Sequence, residues 1–159
     1  FQKTLDYQRH IRAEIEKALE AIELTKQILN GHPPDSEPFA VIGRREAAKQ
    51  IGVSIDVLRD WERNGLIHIP RKGNRRQYGI RELNRIKIIT ILRHANYSQM
   101  SIRRMMRKLE HQDVNLLSVL DTPEQTEDII SVTDCYITSL TGALQDTEKM
   151  LALLTEMKK

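Results

Sequence analysis

Val53-Ser54-Ile55-Asp56-Val57-Leu58-Arg59-Asp60-Trp61-Glu62-Arg63-Asn64-Gly65-Leu66-Ile67, followed three residues later by Arg71-Lys72-Gly73-Asn74-Arg75-Arg76-Gln77-Tyr78, decides how this chain folds. Ser54 can accept a backbone N–H bond and so cap a helix, and Ile55 or Val57, Leu58 and Trp61 give that helix a buried face. Asn64-Gly65 stops it, Leu66-Ile67 is expected to return as a short strand, and Gly73-Asn74 is expected to turn a hairpin. Upstream, Ala47, Ala48 and Ile51 outline a short helix from Arg44 to Gly52. Gly52-Val53 then supplies a tight connection between two helices. The order helix, turn, helix, cationic hairpin predicts a winged helix-turn-helix over residues 40–111, with a small two-stranded wing.

Outward from this core, Leu83, Ile86, Ile89 or Thr90, and Leu92 or Arg93 outline a third helix that breaks near Asn96. Ser98 opens a fourth, with Ile102, Met105, Met106 and Leu109 on its apolar side. Near the start, Ile11, Ile15, Ala18, Ile22, Thr25 and Leu29 alternate spacings of four and three, which predicts an N-terminal helix over residues 1–30. We read that helix as the end of an upstream unit, set apart by a proline-rich linker over residues 31–39. At the other end, Thr122-Pro123-Glu124-Gln125 has the form of a helix start, a Thr cap followed by Pro at the first helical position. The long terminal helix expected over residues 122–158 carries Ile130, Thr133, Ile137, Leu140, Leu144, Thr147, Leu151 and Leu154 at heptad spacing. Ile137, Leu140, Leu144, Leu151 and Leu154 are its expected dimerisation residues, and the stripe of the first helix is a natural partner, within the chain or across a dimer. The fold class is therefore mainly α, a winged helix-turn-helix flanked by long coiled-coil helices.

Composition agrees. Two Phe, one Trp and four Tyr leave the core to aliphatic side chains, which suits helix packing. No apolar run approaches the length of a membrane span and no leader is evident, so a cytoplasmic location without membrane contact is expected. The single Cys135 can make no internal disulfide. The net charge of +3 conceals a strong division. Residues 42–111 hold 17 Lys and Arg against 6 Asp and Glu, a balance of +11, and the remainder holds 8 against 16. A cationic centre between acidic ends is the electrostatic footprint of a polyanion partner.

A recognition helix offers its leading turn to base edges while later residues and the wing grip phosphate. Ser54, Ile55 and Asp56 occupy that turn, and Arg59 and Arg63 follow on the same face, away from Leu58 and Trp61. Arg59 can grip guanine or phosphate through its planar fork, or pair with Asp56 or Glu62. In the wing Arg71, Lys72, Arg75 and Arg76 crowd around Gly73-Asn74, with Tyr78 placed to offer its ring and hydroxyl. Cations so close repel one another unless an anion lies between them.

Residues 41–109 resemble the DNA-binding domain of the MerR family of bacterial transcription regulators. The resemblance rests on Ile42-Gly43, Gly52-Val53-Ser54, Leu58-Arg59-Asp60-Trp61-Glu62, Asn64-Gly65-Leu66-Ile67, Arg76-Gln77-Tyr78, and Tyr97-Ser98 before Ile102. It implies a homodimer joined by an antiparallel coiled coil, double-stranded promoter DNA with pseudo-palindromic symmetry, and RNA polymerase as a further partner. It also implies base contacts at Ser54, Ile55, Asp56 and Arg59 and wing contacts at Arg76 and Tyr78. The chain departs from the pattern at Asp60, where the family usually has a backbone-contacting aromatic, and at Arg75, where it often has Tyr. Asp60 would repel phosphate unless neutralised by Arg59 or Arg63.

The same sequence contains no glycine-rich phosphate loop and no arguable nucleophile, base and orienting group, so no enzyme is expected. Cys135 stands alone and His94 and His111 lack paired ligand spacing, so neither metal nor cofactor is expected. Cys135 is instead expected as a small buried residue of the coiled coil. The alternative to a regulator is a protein-interaction scaffold built on a degenerate winged helix that Asp60 has spoiled for DNA.

Overall fold

The computed structural model describes residues 1–31, 40–109, 115–122 and 135–157. The chain divides into two compact units, one of residues 23–94 and one of residues 1–22 with 95–159.

The first unit is the winged helix. Helix α2 (Arg44–Ile51) packs against α3 (Ile55–Arg63) and α4 (Ile80–His94). Between α2 and α3 the chain reverses within three residues because Gly52 adopts φ 82, a left-handed conformation that costs glycine little. The N–H groups of Gly52 and Val53 both donate to the carbonyl of Ala48, at 2.9 and 3.0 Å. Ser54 then accepts from the Val57 N–H at 3.1 Å, the predicted cap. On α3, Leu58 and Trp61 are buried, while Ile55 and Val57 are both half-buried. In α4 the buried set includes Ile89 and Leu92 rather than Thr90 and Arg93, and Thr90 turns its hydroxyl back to the Ile86 carbonyl at 2.9 Å.

Strands β1 (Arg71–Lys72) and β2 (Arg75–Arg76) form the wing, with Arg71 opposite Arg76 and Lys72 opposite Arg75. Gly73 at φ 59 makes the two-residue turn possible. One expectation is corrected here. Leu66 and Ile67 are buried, but as irregular chain and not as a strand. Pro70, just before β1, has no N–H to pair, but its carbonyl accepts from the Gln77 N–H at 2.9 Å and adds one more bond to the wing. Ile42 bridges Tyr78 antiparallel, through bonds of 3.1 and 2.9 Å in the two directions, and ties the start of the domain to the wing.

In the second unit, Ser98 caps α5 (Gln99–Leu109) by accepting from the Ser101 N–H at 3.0 Å. Its Ile102, Met105 and Met106 are buried as predicted. A short helix not foreseen in the sequence, α6 (Leu116–Asp121), packs on α5. The cause of that packing is Arg104, 1 % exposed, whose guanidinium donates to the carbonyls of Val119 at 2.8 Å and Leu120 at 3.2 Å and to the Ser101 hydroxyl at 3.1 Å. A helix leaves its last carbonyls without partners, and a fixed guanidinium fork satisfies two of them at once. Asp121 in turn accepts from the Thr138 N–H at 3.0 Å, in the first turn of α7 (Tyr136–Glu156).

Thr122 therefore follows α6 in extended conformation and does not open the terminal helix, which starts at Tyr136. Residues 123–134, including Pro123, Ile130 and Thr133, lie outside the described residues, as do the linker residues 32–39 and His111. Cys135 is half-buried at the head of α7, not enclosed within a coiled coil.

Helix α1 (Gln2–Asn30) is the long N-terminal helix predicted by its heptads. Residues ascending α1 meet residues descending α7: Thr4 meets Met150, Arg12 meets Glu148 at 3.3 Å, and Glu14 accepts from the Tyr136 hydroxyl at 2.9 Å. The two helices thus run antiparallel within one chain, with Ile11 and Ala18 buried on α1 and Thr147 on α7. Glu14 also accepts from the Asn96 amide at 2.8 Å, and the Tyr136 bond holds its carboxyl below the usual carboxylate range. Tyr97, wholly buried beside Tyr136, donates to the Ala18 carbonyl at 3.2 Å, and burial pushes its phenol well above the ordinary value.

Replacing Arg104 by Leu removes the donors for the Val119 and Leu120 carbonyls, so a loss of about 2–4 kcal/mol is expected in urea-induced unfolding. A loss below ~0.5 kcal/mol would mean that α6 holds its place without the guanidinium.

Candidate nucleic-acid interface

The predicted site residues separate into those that face outward and those that do not. Ser54, Asp56, Arg59 and Arg63 on α3 are exposed, as are Arg71, Lys72 and Arg75 on the wing. Ile55 is half-buried. Arg59 pairs with Asp56 at 3.0 Å, one of the alternatives open in the sequence, but both side chains remain in solvent, 56 % and 87 % exposed. An exposed pair of this kind contributes little stability and yields readily to a phosphate. Arg63, Arg71, Lys72 and Arg75 make no ion pair with a described residue.

Arg76 and Tyr78, both expected to contact DNA, turn inward in the folded chain. Tyr78 is fully buried, and its hydroxyl accepts from Nε of Arg44 at 3.3 Å. Arg76 is only 17 % exposed and pairs with Oε1 of Glu62. The other oxygen of Glu62 accepts from Arg44 at 3.0 Å. One carboxylate on the last turn of α3 thus holds a guanidinium from the first turn of α2 and another from β2. Charge-assisted bonds at each oxygen, shielded from water at 17–24 % exposure, fix the recognition helix, the leading helix and the wing to one another. Nε of Arg76 is buried with no partner, so the network leaves one donor unsatisfied.

Arg44 and Glu62 are the residues the sequence reading did not single out for this role. They stand 18 positions apart, and nothing in spacing along one helix relates them. The crowding of cations in the wing was a usable signal, since it demanded an anion. The protein meets part of that demand internally, with Glu62. Asp60, expected to need Arg59 or Arg63, accepts from the Asn64 amide at 3.1 Å. That bond closes the C-terminal turn of α3 but leaves the carboxylate charge in place.

Between residues 41–44 and 74–77 lies an open groove of about 450 Å3, with Arg44, Arg75 and Arg76 on its walls. The N-terminal turn of α2 opens there from Gly43, which provides no side-chain cap.

The expected dimerisation residues Ile137, Leu140, Leu144, Leu151 and Leu154 are all half-buried on α7. No helix among the described residues is long and apolar enough to cross a membrane.

Comparison with known proteins agrees with this geometry. Residues 45–109 match the model of the MerR HTH family regulatory proteins. A "Probable heavy metal-dependent transcriptional regulator" of Haemophilus influenzae is 29 % identical over 112 residues, which cover 69 % of this chain and 79 % of that protein. No solved structure matches the chain. The matches and the winged helix together support a transcription regulator. More narrowly, residues 45–109 are similar to the helix-turn-helix of the MerR family.

The chain has one cysteine, and no group of three His, Cys, Asp or Glu among the described residues is placed to hold an ion.

Glu62→Gln removes the charge shared by Arg44 and Arg76 and leaves two guanidinium groups half-buried together. A destabilisation of about 1–3 kcal/mol is expected, against under ~0.5 kcal/mol for Asp56→Asn in the exposed pair. Thermal unfolding of the two variants side by side checks the difference.

Proposed function

We propose that this protein is a cytoplasmic transcription regulator that binds double-stranded promoter DNA sequence-specifically, with two copies acting on a pseudo-palindromic site and RNA polymerase as the partner they influence. The observation that carries this reading is the sorting of cations across the winged helix. Arg44 and Arg76 are neutralised internally by Glu62, while Arg63, Arg71, Lys72 and Arg75 are left for an outside anion. Helix α3 lies in the major groove, where Ser54, Ile55, Asp56 and Arg59 meet base edges, and Arg63 holds the adjacent phosphate. The wing carries Arg71, Lys72 and Arg75 to the backbone and the neighbouring minor groove. A phosphate group seats in the groove between residues 41–44 and 74–77, against Arg75 and the open N-terminal turn of α2. Arg76 and Tyr78 act behind this surface by holding the wing in place.

Two kinds of substitution then differ in signature. Arg59→Ala should cost about 1–3 kcal/mol on the specific duplex and relax discrimination at one base pair. Arg75→Ala should weaken binding evenly across sequences and reduce the salt slope by about one. Titration of duplex at several salt concentrations reads both, with the specific duplex obtained by selection from genomic fragments. Negligible affinity for duplex at every ionic strength would instead make the winged helix an interaction scaffold.

A further inference from the structure

Of the wing cations, Arg71, Lys72 and Arg75 are exposed and Arg76 is not. Its Nη2 meets Oε1 of Glu62 on the last turn of α3, and its Nε is buried without a partner. The other oxygen of Glu62 is already held by Arg44 at 3.0 Å, so the carboxylate stays neutralised whether or not Arg76 is there. A shielded ion pair with one donor unsatisfied adds little net stability. What it does add is a tie between β2 and the recognition helix. We propose that Arg76 is a positioning residue for base discrimination: through Glu62 it locks the wing to α3, so that the phosphates gripped by the wing set the depth and register at which α3 meets the bases. This rests on the reading of the winged helix as a DNA-binding domain.

The geometry separates this role from a phosphate contact. With Nη2 on a shielded carboxylate and Nε buried, Arg76 would have to break a charge-assisted bond to reach a phosphate, whereas Arg71, Lys72 and Arg75 need break none with a described residue. The wing also needs a tie of this kind. Its strands are two residues each, too short to hold a direction by themselves. The bonds at its root, Ile42 with Tyr78 and the Gln77 N–H to the Pro70 carbonyl, run to residues 42 and 70 and not to α3. A second route, from the Tyr78 hydroxyl through Arg44 to Glu62, passes by way of α2 and starts outside the strands. A wing that rocks on this root still holds phosphate, because attraction between charges falls off slowly with distance. Hydrogen bonds to base edges weaken steeply with distance and angle. Loosening the wing from α3 therefore costs discrimination between sequences more than it costs affinity for duplex.

Arg76→Met cuts the tie and leaves Glu62 paired with Arg44, so no charge is orphaned and the domain should stay folded by circular dichroism. Two duplexes of equal length, one selected from genomic fragments and one of random sequence, are titrated with parent and variant over a range of salt. Affinity of the variant for the random duplex should stay within about twofold of the parent's, with the same salt slope, because no phosphate contact is lost. Its preference for the selected duplex should fall about tenfold or more. Arg59→Ala should cost about tenfold on the selected duplex in the parent and only about twofold in the Arg76→Met background, since the two residues act on one contact. A shallower salt slope for Arg76→Met would make Arg76 a phosphate contact. An undiminished preference, or an equal cost of Arg59→Ala in both backgrounds, would show the wing uncoupled from base reading. Loss of the fold would make Arg76 a residue of stability. Each of these overturns the proposal and leaves DNA binding by the parent chain in place. A parent chain that prefers no selected duplex would strike the reading of the winged helix itself, before any variant is compared.

Discussion

Glu62 is the point on which the winged-helix unit turns. A two-residue strand pair has too few hydrogen bonds to hold itself, and a nine-residue helix has few more turns than it needs to nucleate. Both owe their placement to tertiary contacts. Trp61 and Leu58 bury one side of α3, but apolar packing is non-directional and tolerates small rotations of a helix. A carboxylate held at both oxygens by guanidinium groups from two other elements does not. The orientation of the exposed face of α3, with Ser54, Asp56, Arg59 and Arg63, follows from where the buried face is pinned.

The same constraint explains why the cations of this domain are of two kinds. An arginine is useful at a phosphate only if it is not already satisfied. Arg44 and Arg76 are shielded and engaged, and they serve as struts. Lys72 and Arg75 lie close to Arg76 in sequence yet stand in solvent, because alternate residues of the hairpin face opposite ways, and Arg71, paired with Arg76 across the ladder, is exposed as well. The excess of positive charge read from the whole region therefore overstates the charge available to a partner, since part of it is spent internally.

Local chemistry made much of this legible. Gly52, Ser54, Gly65 and Gly73 act at the positions where the sequence placed them, because caps and left-handed turns depend on the residue and its immediate neighbours. The helical apolar stripes were equally clear. What escaped was whatever depends on two distant segments meeting. Ile42 closing the wing, Glu62 bridging Arg44 and Arg76, and Arg104 holding α6 are all of this kind. Each is a polar residue whose partner cannot be named until the chain is folded. The burial of Tyr78 is of the same kind, since an aromatic among cations reads as exposed until the chain is folded.

In the second unit the logic is that of a stripe with more than one suitor. A heptad stripe specifies that a helix will be covered and says little about which helix covers it, since Leu and Ile fit many partners. Polar contacts at the margin supply the choice. Glu14 meets two donors, Tyr136 and Asn96, and the second of these is held at φ 68, a conformation asparagine tolerates better than most residues with a side chain. Asn96 leads into α5, buried Arg104 ties α5 to α6, and Asp121 ties α6 to the first turn of α7. The polar contacts that hold α1 at Glu14 and those that place α7 thus meet within one unit of the chain.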